Sequence, residues 1–97
     1  MTPEGKVKAK LKVALDKAFP DHYRFMPVQS GYGAKTLDVL LCVNGRFIGV
    51  ETKAPGKKPT PLQESTIAAM EAAGALVLVV SDDTSLRLAI ERITLNG

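Results

Sequence analysis

The most informative stretch of the chain is residues 37–53, which reads LDVLLCVNGRFIGVETK. Two apolar runs flank Asn44-Gly45, and this dipeptide favours a two-residue turn because both of its residues tolerate a positive φ. We therefore predict a β-hairpin in which Val43 pairs with Arg46. Every further pair along the two strands follows from this first one.

One end of the predicted hairpin carries charged side chains. In this register Asp38 lies directly opposite Glu51, with Cβ atoms about 4.5–5.5 Å apart, and Lys53 lies on the same face as Glu51 because side chains alternate along a strand. Two opposed carboxylates repel each other, so the arrangement is destabilising unless something compensates it. Mg²⁺ or Mn²⁺ would do so, because both prefer oxygen ligands, and the backbone carbonyl of Thr52 offers one more. Lys53 would then hold or help deprotonate a water that attacks a phosphodiester.

A structural interpretation of the same residues stays open. In it Lys53 bridges the two acids as a salt-bridged triplet at a strand end, with neither metal nor catalysis. A single β-bulge in either strand would also break the predicted register.

The rest of the chain predicts helices and strands in alternation. Residues 3–18 have apolar positions at helical spacing after Thr2-Pro3, and residues 22–29 have the composition of a short edge strand ended near Pro27. Thr60-Pro61-Leu62-Gln63 predicts a capping box that opens a helix running to about residue 73.

A buried strand over residues 75–80 and a last helix after Asp82 or Asp83 complete the predicted elements. The segment 47–80 is a strand–helix–strand unit, which implies parallel pairing of its two strands. The fold class is therefore α/β, with one small mixed β-sheet flanked by helices.

Composition and length limit the classes of protein to consider. The 97 residues allow one domain, 1–97, and no apolar run approaches the ~20 residues of a membrane-spanning helix. The start, MTPEGK, lacks the apolar stretch of a secretory signal. Cys42 is the single cysteine, so there is no internal disulfide or cysteine-based zinc site, and we expect it to pack in the core with Leu40 and Phe47. These features predict an intracellular protein without membrane association.

The positive charge is concentrated in the first part of the chain. Eleven of the 13 Lys and Arg residues lie in the first 60 positions, against five of the ten Asp and Glu residues. This gradient suits a polyanionic partner such as nucleic acid. The alternative is that the lysines of the first helix simply form its solvated face.

The hairpin residues resemble the bipartite site of the PD-(D/E)XK nuclease superfamily, with LDVL at 37–40 followed by ETK at 51–53. The flanking sequences narrow the resemblance to the VRR-NUC family, the virus-type replication–repair nucleases. They are GRFIGVETKAPG at 45–56, PLQ at 61–63 and GALVLVV at 74–80. The resemblance covers roughly residues 3–81 and implies the restriction-endonuclease-like core, αβββαβ, here with a C-terminal helix. Leu37 stands where the family has a proline.

The resemblance assigns roles to five residues. It makes Asp38 and Glu51 metal ligands and Lys53 the catalytic lysine, and it places Gln63 and Glu4 at the same catalytic site. Gln63 also has a purely structural explanation as the fourth residue of a capping box. Glu4 has one as an acid in the first turn of a helix.

The resemblance further implies a Mg²⁺- or Mn²⁺-dependent endodeoxyribonuclease of bacterial or phage replication and repair, working in the cytoplasm of a bacterial or infected cell. Holliday junctions or other branched DNA are the implied substrates. Cutting two strands symmetrically needs two sites, which predicts a homodimer. By position, Lys57, Lys58 and Lys35 are candidate phosphate contacts and Tyr32 is a candidate stacking residue. Lys57 and Lys58 are also consistent with a solvated loop, and Tyr32 with a turn tip that has no such role.

Two other function classes stay open. One is a non-catalytic nucleic-acid-binding module on the same fold, and the other is a protein-interaction or inhibitor domain in which the charged triplet is structural.

Overall fold

The computed structural model describes residues 1–27 and 36–96. In these ranges the chain runs α1-β1-β2-β3-α2-β4-α3. The elements are α1 (Pro3–Ala18), β1 (Tyr23–Phe25), β2 (Val39–Val43), β3 (Arg46–Thr52), α2 (Pro61–Ala72), β4 (Leu76–Val80) and α3 (Asp83–Asn96). The predicted α/β class is confirmed, with a small mixed sheet and three helices.

The four strands form one sheet in the order β1-β2-β3-β4. The first three strands are antiparallel neighbours, whereas β4 is parallel to β3. The connection between β3 and β4 passes through α2, as a parallel pair requires.

The hairpin forms in the predicted register. Val43 pairs with Arg46, and the ladder continues to the pair Val39 and Val50. Asn44 and Gly45 have φ of 49° and 81°, the positive values that a two-residue hairpin turn needs. β3 is longer than the apolar run suggested, because it continues through Glu51 and Thr52.

The largest apolar cluster lies on one face of the sheet. α1 and α3 cover this face with the side chains Val7, Leu11, Leu15, Ala89 and Ile93. Alternate residues of β2, β3 and β4 complete the cluster, as the two-residue period of a strand dictates.

α2 lies on the opposite face, against β3 and β4. Gly49 allows this close approach, because a Cβ added there would lie 2.6 Å from the Cε of Met70 in α2. Helices therefore flank the sheet on both sides.

The expectation that Cys42 packs in the core is wrong. Cys42 is exposed, because α2 covers only part of its face of the sheet. The uncovered part carries an apolar surface that we call the open strip, made of Tyr23, Phe25, Leu40, Cys42 and Phe47. Tyr23, Phe25 and Phe47 are 70%, 54% and 49% exposed.

The first strand is shorter than predicted. β1 covers Tyr23–Phe25 and ends before Pro27, which cannot donate a ladder hydrogen bond. The last two residues of the predicted strand, 28 and 29, lie outside the described residues. In the part of the chain that the structure describes, no helix is both long and apolar enough to cross a lipid bilayer.

Candidate active site

The hairpin brings Asp38 and Glu51 together at one edge of the sheet. They are one step beyond the last ladder pair, with Asp38 in a bend just before β2 and Glu51 within β3. Their carboxyl groups are close enough for each to shift the pKa of the other. The two acids therefore meet, as the register predicted.

Thr52 fixes the position of the Asp38 carboxylate. Its amide N–H and its hydroxyl donate to the same oxygen of Asp38, Oδ2, at 3.0 and 2.9 Å. The next amide, that of Lys53, donates to the Val80 carbonyl of β4 at 3.0 Å. Because successive residues of a strand point their backbone groups to opposite neighbours, the carbonyl of Thr52 lies on the Asp38 side of β3.

Glu51 is the most unusual side chain of the site. It has no exposed surface, and no N–H or O–H group of the described residues donates to either of its carboxylate oxygens. Leaving buried polar atoms without partners costs about 1–3 kcal/mol each, and more when they are charged. The fold therefore retains a group that destabilises it unless a proton or a cation is present.

The pKa values of the two acids are shifted in opposite directions. Burial, together with the hydrogen bond and like charge of Asp38, raises the pKa of Glu51 to about 8. Burial alone would raise the pKa of Asp38, but hydrogen bonds from Glu51 and Thr52 and the charge of Lys8 outweigh it and lower that pKa. Near neutral pH and without a bound cation, the raised pKa of Glu51 favours its protonated form.

Lys53 and Gln63 meet beside the acids. The Lys53 ammonium donates to Oε1 of Gln63 at 3.3 Å, and its charge acts on Glu51. The same Oε1 accepts the amide N–H of Thr60 at 2.8 Å, while the Gln63 amide donates to the Thr60 hydroxyl at 3.3 Å. Gln63 therefore closes the predicted capping box and also contacts Lys53. The structural role and the contact with the site are thus compatible.

The donor set suits a hard divalent cation. The two carboxyl groups adjoin, the buried oxygens of Glu51 lack donors among the described residues, and the Thr52 carbonyl lies on the same side of β3 as Asp38. Within residues 1–27 and 36–96 no group of three or more His, Cys, Asp or Glu side chains is arranged to hold a metal. Two carboxylates completed by water and substrate phosphate are a common way to bind Mg²⁺.

Among the described residues no hydrogen bond or ion pair joins Glu4 to this carboxylate pair, so its role at the site stays a prediction. Glu4 lies in the first turn of α1. The residue of α1 that reaches the pair is Lys8, one turn later, whose Nζ lies 3.9 Å from Oδ1 of Asp38. The sequence did not single out Lys8 as a site residue. The feature that could have done so is its position directly after Val7, at the border of the buried face of the helix.

The predicted DNA-contacting residues fall into two groups. Lys57 and Lys58 are exposed in the loop that leaves β3, close in sequence to Lys53. Lys35 and Tyr32 lie outside the described residues.

Comparisons with known proteins identify a similar solved structure. No protein-family model matches the chain, and a search of curated proteins finds no match. Among solved structures, the chain is similar to one described as "VRR_NUC domain", with a TM-score of 0.78 and 26% sequence identity. The match covers 94% of this chain and 97% of that one. The likeness therefore extends over the whole nuclease-type domain and agrees with the resemblance of the hairpin residues.

Proposed function

We propose that the protein is a metal-dependent endonuclease that hydrolyses DNA phosphodiester bonds. The similarity to the solved VRR_NUC domain supports membership of this nuclease family. The observation that carries the proposal is the buried carboxylate of Glu51, which has no donor among the described residues and lies against Asp38. A strand end that serves only stability has no reason to retain such a pair.

Each residue of the site has a role in this proposal. Asp38, Glu51 and the carbonyl of Thr52 hold Mg²⁺ or Mn²⁺, which when bound supplies Lewis acidity to the phosphate and lowers the pKa of water. Thr52 keeps the Asp38 carboxylate in place through its two hydrogen bonds. The Lys53 ammonium, held by Gln63, orients the attacking water and neutralises charge that develops on the phosphate.

Substrate and assembly follow from the family resemblance. Branched DNA such as a four-way junction is the proposed substrate, and the exposed lysines Lys57 and Lys58 contact its phosphates. The proposed homodimer provides one site for each strand. The open strip supports this assembly, because an exposed apolar patch without charged side chains suits a protein partner better than a polyanion.

The test is cleavage of plasmid, linear DNA and a four-way junction with Mg²⁺ or Mn²⁺. The wild type should cut, with preference for the junction, whereas Lys53→Ala and Asp38→Asn should lose at least about a hundredfold in rate, the usual contribution of such groups. Lys17→Ala, which removes an exposed charge at the far end of α1, should cut as the wild type does.

The remaining outcomes identify the alternatives. If the wild type binds DNA but cuts none of the substrates with either ion, the protein is a nucleic-acid-binding module. If it neither binds nor cuts, the charged triplet is structural. Equal cutting by wild type and Lys53→Ala would contradict the catalytic assignment.

A further inference from the structure

Lys8 is a cation close to the acidic pair that the proposed mechanism leaves without a role. It is on α1, directly after the buried Val7, and its side chain is 33% exposed, while that of Asp38 is 14% exposed. Lys8 therefore reaches the site from the helical layer opposite α2. Lys53, by contrast, is held by Gln63 of α2.

The contact between Lys8 and Asp38 is loose. At 3.9 Å it is too long for a hydrogen bond, whereas Oδ2 of the same carboxylate accepts two short bonds from Thr52. A partly exposed ion pair of this kind contributes little to stability. Thr52 fixes Asp38 by two hydrogen bonds, whereas Lys8 is paired with it only through charge.

A divalent ion at the acidic pair would change the surroundings of Lys8. The positive charge of the ion would offset that of the Asp38 carboxylate, which would weaken the attraction of Lys8 to Asp38. The side chain of lysine is flexible and partly in solvent here, so it can turn to another anion nearby. At a nuclease site that anion is a phosphate of the substrate.

We propose that Lys8 is a substrate-binding residue, which neutralises Asp38 in the metal-free protein and contacts a DNA phosphate once the metal site is filled. This inference rests on the proposed nuclease function. It adds that the DNA backbone crosses the edge of the sheet between two ammonium groups, Lys8 from the α1 side and Lys53 from the α2 side.

The test measures DNA binding instead of cleavage. It uses the Lys53→Ala protein as parent, so that the substrate stays intact, and compares Lys8→Ala with Lys17→Ala in that background. Lys17 belongs to the same helix and carries the same charge, but it lies about 13 Å along the axis from Lys8. Kd for a four-way junction is measured over a range of salt, with Mn²⁺ and with EDTA.

With Mn²⁺, Lys8→Ala should raise Kd about tenfold relative to Lys17→Ala and lower the slope of log Kd against log salt by about one. The difference between the two variants should be smaller in EDTA, because Lys8 then remains with Asp38. Lys8→Arg should restore binding, and calorimetry should show that Lys8→Ala binds Mn²⁺ at least as tightly as its parent.

Equal Kd and equal salt slope for Lys8→Ala and Lys17→Ala in Mn²⁺ would overturn the inference. So would a difference of the same size with and without metal. If the parent binds no DNA and the wild type cuts none, the proposed function fails and this inference fails with it. Normal binding by the parent with no difference between the variants would remove the inference about Lys8 alone.

Discussion

Glu51 makes the stability of the metal-free protein depend on pH. The pKa of Glu51 is about 8 in the folded chain but near 4.5 when it is unfolded, so between these values the folded state binds more protons. Stability should therefore fall as pH rises from 4.5 to 8, by a few kcal/mol in total. Asp38, whose pKa is lowered, contributes stability above its usual pKa that is lost in acid. Urea unfolding in EDTA at pH 5.5 and pH 8 measures the effect.

Two comparisons assign this dependence to Glu51. Glu51→Gln should remove most of the fall between pH 5.5 and 8, since its amide does not titrate. Mn²⁺ should stabilise the wild type more at pH 8 than at pH 5.5, because the ion competes with the proton on Glu51. Unchanged stability of the metal-free wild type over this range would show that Glu51 is ionised without a cation.

Gln63 has a structural and a functional contact, and a neighbouring residue separates them. Thr60→Ala and Gln63→Ala both break the capping box, so each should cost about 1 kcal/mol of unfolding free energy. Only Gln63→Ala also removes the acceptor of the Lys53 ammonium. Cleavage by Gln63→Ala should therefore fall about tenfold, while Thr60→Ala cuts normally. Equal cleavage rates for the two variants would show that Gln63 acts only in capping the helix.

At the scale of elements, the close packing of α2 on the sheet depends on Gly49. A Cβ there meets the flexible end of Met70 at 2.6 Å and Cδ1 of Leu37 at 3.0 Å. Gly49→Ala should cost less than about 1 kcal/mol, because the Met70 methyl can move aside. Gly49→Val should cost about 2 kcal/mol and reduce cleavage, because it pushes α2, and with it Gln63, away from the sheet. Chemical unfolding measures the stability of each variant, and the junction assay measures its cleavage rate. Equal effects of the two substitutions would contradict the inference that α2 packs closely against Gly49.

The sequence determined local features of the elements better than distant ones. The register of the hairpin was predictable because a two-residue turn allows a single pairing, and the helix ends were predictable from Pro3 and the Thr60–Gln63 box. The contact of Lys8 with Asp38 was not predictable, since it depends on how α1 lies on the sheet. The exposure of Cys42 was missed for a similar reason, because alternation along a strand does not tell how far a covering helix extends.

At the scale of the whole molecule, the open strip is the feature that bears on assembly. If a second copy covers it, the wild type should be a dimer by light scattering after size exclusion, and Phe25→Ser with Phe47→Ser should shift it towards the monomer. Both residues are about half exposed, so the substitutions should leave the fold intact. Val13→Ser is the matched control, since Val13 is 69% exposed on α1. A wild type that is monomeric, or a double variant that remains dimeric, would exclude the strip as the interface.

The turn at Asn44-Gly45 also limits how the gene can change in length. It lies six residues from both Asp38 and Glu51, about 20 Å along the strands. One codon added or lost there would slide β2 against β3 and separate the two acids, whereas a codon gained in the loop between β3 and α2 would leave their pairing intact. We therefore expect insertions and deletions that keep the two acids paired to occur in that loop and not in the turn.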